Sequence, residues 1–206
     1  MKNIKIELGM GGLLFLLLGN GFCADTLRID PVHSSVEFTI RHLVGRVKGK
    51  FKEFSGTIVL DEKKVSNSSV SVSINTASID TENERRDGHL KSPDFFDAEK
   101  YPEITFYSKK VIEKDGEPYA VGPLVIHGIE KEIMLPFKVL GVMKDSKGST
   151  WGGFESEITI KRYDFDITWN RTLEDRGFML GDDVTVNLFI EAVMKKEEPV
   201  KEKKVE

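Results

Sequence analysis

Apolar and polar residues alternate with a period of two along most of this chain. Val36, Phe38, Ile40 and His42 alternate with Glu37, Thr39 and Arg41, and Val70, Val72 and Ile74 with Ser71, Ser73 and Asn75. Ile104 and Phe106 alternate with Thr105 and Tyr107. Ile133, Leu135, Phe137 and Val139 alternate with Glu132, Met134, Pro136 and Lys138. Phe154, Ile158 and Ile160 share a face with Ser156, and Val184, Val186, Leu188 and Ile190 alternate with Thr185, Asn187 and Phe189. Successive side chains on a strand point to opposite faces, so each run reads as a strand with one buried side. Further strands fit residues 51–60 and 118–127. Asp115-Gly116, His127-Gly128 and the stretch 145–148 are turn signals between runs. Such short connections favour antiparallel pairing.

The exception is residues 81–100. Thr81 and Glu84 form a T-x-x-E capping box, and Ser92-Pro93 is a second helix start. Two short helices, near 82–90 and 93–97, are expected in a single excursion. The chain is therefore all-β, with eight or more antiparallel strands whose edges must be protected. Closing into a barrel does this, and a barrel of about eight strands can hold one small ligand. A two-layer sandwich satisfies the same period.

The two ends do not share the pattern. Lys2 and Lys5 precede an apolar stretch from Leu8 to Leu18. It is shorter than the roughly 20 residues a membrane-spanning helix needs, and its layout is that of a secretory signal peptide. Cleavage is expected after Cys23 or Ala24. Cys23 also raises lipid attachment, although Phe22 directly before it fits such a site poorly, and a retained anchor is a third reading. At the other end, residues 195–206 hold five Lys and four Glu. That composition cannot bury enough surface to offset its ordering entropy. The organisation expected is a leader over 1–24, one domain over 25–194 and a charged disordered tail over 195–206.

Composition excludes several classes. One cysteine cannot form a disulfide within its own chain. A net charge of −4 and a sequence pI near 5.7 argue against nucleic-acid binding. A single long apolar run excludes a multipass membrane protein and leaves no integral span once the leader is removed. Export without disulfides points to a bacterial periplasm or to secretion.

Longer motifs then become recognisable. They are the opening 27–38 (LRIDPVHSSVEF), Gly49-Lys50-Phe51 with Phe54-Ser55-Gly56, and Ser78-Ile79-Asp80-Thr81. Arg86-Asp87-Gly88-His89-Leu90, Asp94-Phe95-Phe96-Asp97, residues 101–106 (YPEITF) and 122–128 (GPLVIHG) follow. Residues 160–165 (IKRYDF) and Gly181-Asp182-Asp183-Val184 complete the set. In this order, over roughly 26–193, they resemble the YceI-like family. The resemblance implies an eight-stranded, lipocalin-like antiparallel barrel, periplasmic or secreted and often a homodimer. It implies a long apolar ligand in the lumen, such as a polyisoprenoid, an isoprenoid quinone or a fatty amide. It implies no catalytic mechanism and no other cofactor. Two positions depart from the family pattern. Asp166 stands where Gly is common, and Pro123 where an acidic residue is common. Pro123 lacks a ladder N–H, so it should force a bulge or an edge position.

Thirteen Phe against two Trp and four Tyr fit a lined lumen. The candidate lining is Phe38, Ile40, Phe51, Ile74, Phe106, Leu124, Ile126, Leu135, Phe137, Phe154, Ile158, Ile160, Phe165 and Trp169. His42, Arg86, His89 and Arg162 are candidates to meet a polar head group. Each has a plainer reading: a satisfied histidine at His42, a salt-bridge and capping network at Arg86 and His89, a buried ion pair at Arg162. A scaffold with a solid core and a hydrolase or isomerase acting on an apolar substrate remain as alternatives. Against the enzyme, Ser34 and His33 point to opposite faces of a strand, and no G-x-S-x-G occurs. No metal site is expected, since His33, His42, His89 and His127 include no i,i+4 pair.

Overall fold

Asp115 (φ 54°) with Gly116 (φ 80°), and His127 (φ 52°) with Gly128 (φ 74°), each place two consecutive residues at positive φ. That is the backbone twist a two-residue hairpin requires, and both turns join adjacent antiparallel strands. The computed structural model describes residues 25–173 and 177–194. The expected leader and charged tail lie outside them.

The elements are β1 (Asp25–Ile29), β2 (Ser35–His42), β3 (Gly45–Phe51), β4 (Phe54–Leu60), β5 (Ser69–Asn75) and β6 (Ile79–Asp80), followed by α1 (Glu84–Lys91). Then come β7 (Glu103–Tyr107), β8 (Lys110–Lys114), β9 (Glu117–Ile126), β10 (Ile129–Pro136), β11 (Lys138–Lys144) and β12 (Thr150–Lys161). The two-residue strands β13 (Thr172–Leu173) and β14 (Gly177–Phe178) pair with each other, and β15 (Leu180–Met194) ends the fold. The main ladder runs β10-β9-β7-β5-β4-β1-β15-β2-β3-β6, with β8 on β9 and β11-β12 on β15. All its pairs are antiparallel. β15 is the hub, meeting β12 over Thr150–Lys161, β2 over its first part and β1 at its end.

The fold is all-β as expected, but the count of eight strands is not. Thirteen strands share the sheet, and its ladder does not close. Part of the excess arises because strands are divided where the sheet bends. β10 and β11 are one run divided at Phe137, so β10 pairs with β9 and β11 with β12. β7 and β8 are divided at Ser108-Lys109, opposite Gly122-Pro123 of β9. Pro123 sits where the partner on one edge of β9 changes from β7 to β8, and it stays in register with Glu132 of β10 on the other. β1 and β2 are divided at 30–34, a corner held to β15 by Ser34 Oγ, which donates to Glu191 O and accepts from Glu191 N. In that corner Asp30 accepts from Val32 N and from His33 Nδ1 at 2.8 Å. The pairing lowers the Asp30 pKa and raises that of His33.

The helical excursion is corrected in two respects. The cap of α1 is Asn83, whose side chain accepts from Arg86 N, and not Thr81. Thr81 instead gives its N–H and its hydroxyl to Asp87 Oδ1. The second expected helix, at 93–97, is a series of turns. Among the described residues no helix is long and apolar enough to cross a membrane.

The core is divided into three clusters. One gathers Val36, Phe51, Ile79, Phe95, Ile104, Ile126, Phe165 and Ile167. A second holds Leu27, Ile29, Leu60, Phe154 and Ala192, and a third Phe106, Val111 and Ala120. The space between them is the site.

Candidate functional site

Inward-facing residues of most strands converge on one cavity of about 260 Å³. Around the hub, Val184, Val186, Leu188 and Ile190 of β15 face it, beside Phe38 and Ile40 of β2 and Phe154, Ile158 and Ile160 of β12. Phe51 closes β3, Ile74 and Phe106 come from β5 and β7, and Leu124, Ile126 and Leu135 from β9 and β10. Phe137 lines it from the bend after β10, and Phe165 from the 3-10 turn after β12. Thirteen of the fourteen expected lining residues thus stand in one wall. Trp169 does not. It lies behind, 4.8 Å from the His89 ring and 5.2 Å from that of Phe95. The alternation ends at the 3-10 turn Arg162–Phe165, which Asp166 closes in a left-handed conformation (φ 57°); beyond it Ile167 still lines the cavity and Trp169 does not.

Nine phenylalanines line the cavity. Three of its apolar contacts, Leu90, Phe95 and Phe96, come from α1 and the turns after it. They cover one end, and period-two reading misses them because that segment is not a strand. A short apolar pair straight after a helix start was the available signal.

The wall presents carbon throughout. Its few polar residues include Glu37, Ser68, Ser69, Glu155 and Ser156; Ser156 Oγ donates to Pro136 O, Ser68 Oγ accepts from Asp61 N, and Glu37 accepts from Ser35 Oγ. Arg162 is only 4% exposed and touches the wall, yet its donors are taken. Nε donates to Gly181 O, Nη1 to Ile167 O and Trp169 O, and Nη2 to Tyr163 Oη, at 2.7 to 3.1 Å. That uses four of five N–H groups. The buried ion pair of the plainer reading is not formed, because carbonyls and a phenol hydroxyl replace the carboxylate.

The other three polar candidates are not brought together at the wall. His42 ends β2, in register with Gly45 and Leu180, and does not line the cavity. Arg86 donates from Nε to Thr81 Oγ1 and from Nη2 to Thr81 O. His89 Nε2 lies 2.8 Å from Asp94 Oδ2, with its ring edge-on to Phe95 and Trp169. Arg86 and His89 therefore knit the excursion that covers the cavity. Among the described residues no group of three His, Cys, Asp or Glu side chains comes together.

This arrangement can hold hydrocarbon and little else. About 10–15 Å³ of such space holds one water, but a water needs two to four polar partners, and the wall offers none.

Comparison with known proteins follows the same outline. Residues 27–192 match the YceI-like domain. Protein YceI of Escherichia coli O157:H7 is 40% identical over 171 residues, which cover 81% of this chain and 88% of that one. A solved Campylobacter jejuni YCEI protein is 38% identical, with a TM-score of 0.64 over 73% of this chain and 86% of that one. A polyisoprenoid binding domain from Saccharophagus degradans shares the fold at 15% identity, with a TM-score of 0.59 over 82% and 98% of the two chains. On the domain match and the identity to these relatives, the chain belongs to the YceI-like family.

Proposed function

We propose that this protein is an exported bacterial carrier or store for a long-chain apolar lipid: a polyisoprenoid, an isoprenoid quinone or a fatty amide. The observation that carries the reading is the carbon-walled cavity enclosed by the sheet and covered by the α1 segment. In this reading the sheet acts as a lipocalin-like barrel around the lipid tail, the leader directs export, and the protein binds without turning over its ligand. The polyisoprenoid binding of the Saccharophagus degradans domain supports the class of ligand. A homodimer, implied by the family, is part of the same proposal.

The energetics favour a long chain. Each buried methylene contributes about 0.8 kcal/mol, while association costs some 4–15 kcal/mol. A tail of about 20 buried carbons contributes about 16 kcal/mol, which leaves roughly 1–12 kcal/mol after that cost; a micromolar complex, at about 8 kcal/mol, lies within that range. The test is expression with the native leader, cell fractionation, organic extraction and mass spectrometry. A periplasmic protein with close to one equivalent of an isoprenoid or fatty lipid is expected. Protein that purifies free of lipid and takes up neither a quinone nor a prenyl lipid overturns the proposal.

A further inference from the structure

β10 and β12 run past each other without a ladder. β10 is paired along one edge only, to β9. β12 is paired to β11 only as far as Glu155, so its second edge from Ser156 to Lys161 has no strand partner. Among the described residues the ties across this seam lie at its two ends. Ser156 Oγ donates to Pro136 O at 2.6 Å, and His127 Nδ1 lies 3.2 Å from Phe165 O. Between these ends the cavity is bordered by side chains alone: Ile133 and Leu135 on one strand, Ile158 and Ile160 on the other.

Lys131 stands in this seam. It is in register with Leu124, a wall residue, and alternation puts it on the face of Ile129, Ile133 and Leu135. An inward-facing lysine in a closed wall would be buried, yet Lys131 is exposed. No carboxylate among the described residues pairs with it. Its acidic neighbours Glu130 and Glu132 lie on the opposite face, and Glu132 faces Lys109 at 3.9 Å. Across the seam Glu157 and Lys161 alternate outward from Ile158 and Ile160. By alternation the charges on the inner faces of the two strands along the seam and on the turn that follows are Lys131 and Arg162, both cationic; Glu155, which touches the cavity just beyond the seam, is in register with Lys138 of β11.

We propose that the seam is where the ligand's polar end emerges, and that Lys131 receives an anionic head group, a phosphate or carboxylate, on an amphiphile whose tail fills the cavity. This rests on the lipid-binding reading and narrows its ligand class to anionic amphiphiles. The all-carbon wall leaves no place inside for such a head, whereas the seam offers an unpaired ammonium beside solvent.

The test compares geranylgeraniol with its monophosphate ester, each displacing an apolar fluorescent dye from the delipidated full chain at low salt. An exposed ion pair contributes up to about 1 kcal/mol, so the phosphate is expected to bind about fivefold more tightly than the alcohol. Lys131→Met should abolish the preference and Lys131→Glu should reverse it, with alcohol affinity unchanged in both. Molar salt should erase it in the wild type, because the Debye length falls to about 3 Å. Equal binding of alcohol and phosphate by the wild type, or a preference that survives Lys131→Glu, overturns the assignment while leaving the cavity intact. Binding of neither probe overturns the lipid-binding reading and this assignment with it.

Discussion

Substituting Val186 by Phe puts a ring into the middle of the wall. Val186 lies on β15 in register with Ile158 on one side and Phe38 on the other, and all three face the cavity. A packed core has no room for the added carbons, and overpacking costs about 1–3 kcal/mol. A cavity accepts them, and filling empty space commonly stabilises by about 0.5–2 kcal/mol. The added ring displaces about four methylenes of ligand, about 3 kcal/mol at 0.8 per methylene, or about 200-fold in Kd. The assays are urea unfolding of delipidated protein and displacement of an apolar dye by a prenyl lipid. Unchanged or raised stability with a large loss of lipid affinity is expected. If Val186→Phe loses more than 1 kcal/mol and binds lipid as the wild type does, the space between the clusters is not a ligand site.

Three further outcomes follow from the geometry. Arg162→Met strips donors from the carbonyls of Gly181, Ile167 and Trp169, each left unsatisfied at about 1–3 kcal/mol, so a loss of about 3 kcal/mol or more is expected in a denaturant titration; Arg162→Lys should recover less than half, since one ammonium cannot replace the fork. A loss below 1 kcal/mol for Arg162→Met would mean the clamp is not structural. The Asp30–His33 pair has the lowered acid and the raised base, so its contribution is complete between the two unfolded values, from about pH 4 to 6.5. It fades as pH falls through the folded Asp30 pKa or rises through the folded His33 pKa. The stability gap between wild type and His33→Gln, followed by thermal melts against pH, should therefore peak near pH 5; a gap that grows toward pH 8 contradicts the pairing. Asp166 holds φ 57°, so Asp166→Gly should stay within about 1 kcal/mol of wild type, whereas Asp166→Val should lose about 1–3 kcal/mol. Equal melting temperatures for the two variants would show that the turn imposes no strain.

Alternation made the wall legible. Because a strand buries every second residue, reading which face was apolar also selected the residues that point inward, and thirteen positions from separate runs fell on one cavity. The places where this failed share a cause. Phe95 and Phe96 lie in turns, where no period exists to assign a face. Trp169 follows the 3-10 turn Arg162–Phe165, across which a period of two does not carry. The bends at Phe137 and Ser108 depend on which neighbour each half-strand meets, and that is a property of the assembled sheet, not of the local sequence. Arg162 was correctly placed on the inner face, but its carbonyl partners come from Gly181, Ile167 and Trp169, beyond the reach of a pattern. Lys131 is the instructive case. A charge on an otherwise apolar face was visible in the chain, and only the missing ladder beside it gives that charge a position in solvent.

A cavity of this kind has to be kept open against collapse, and the phenylalanines are arranged to do so. Phe38 lies in register with Gly49 on β3, and its ring covers the bare backbone there, where a Cβ would collide with it. The Phe154 ring lies over Gly152 in the same strand, 3.0 Å from where that Cβ would be, with Leu27 beside it at 3.1 Å. A ring laid against a glycine occupies the wall instead of the lumen, and a rigid ring pays little rotamer entropy for staying there. The clusters meet along the walls, where Phe54 packs against two of them and Leu124 against two. A flexible Leu or Met at these positions would swing inward and fill the space. A bound chain therefore adds the missing central contacts without rearranging the walls. Binding to the folded state alone stabilises by about 2.7 kcal/mol when ligand is 100-fold above its Kd, and on the proposed lipid-binding reading that gain would come from joining the three clusters across the cavity.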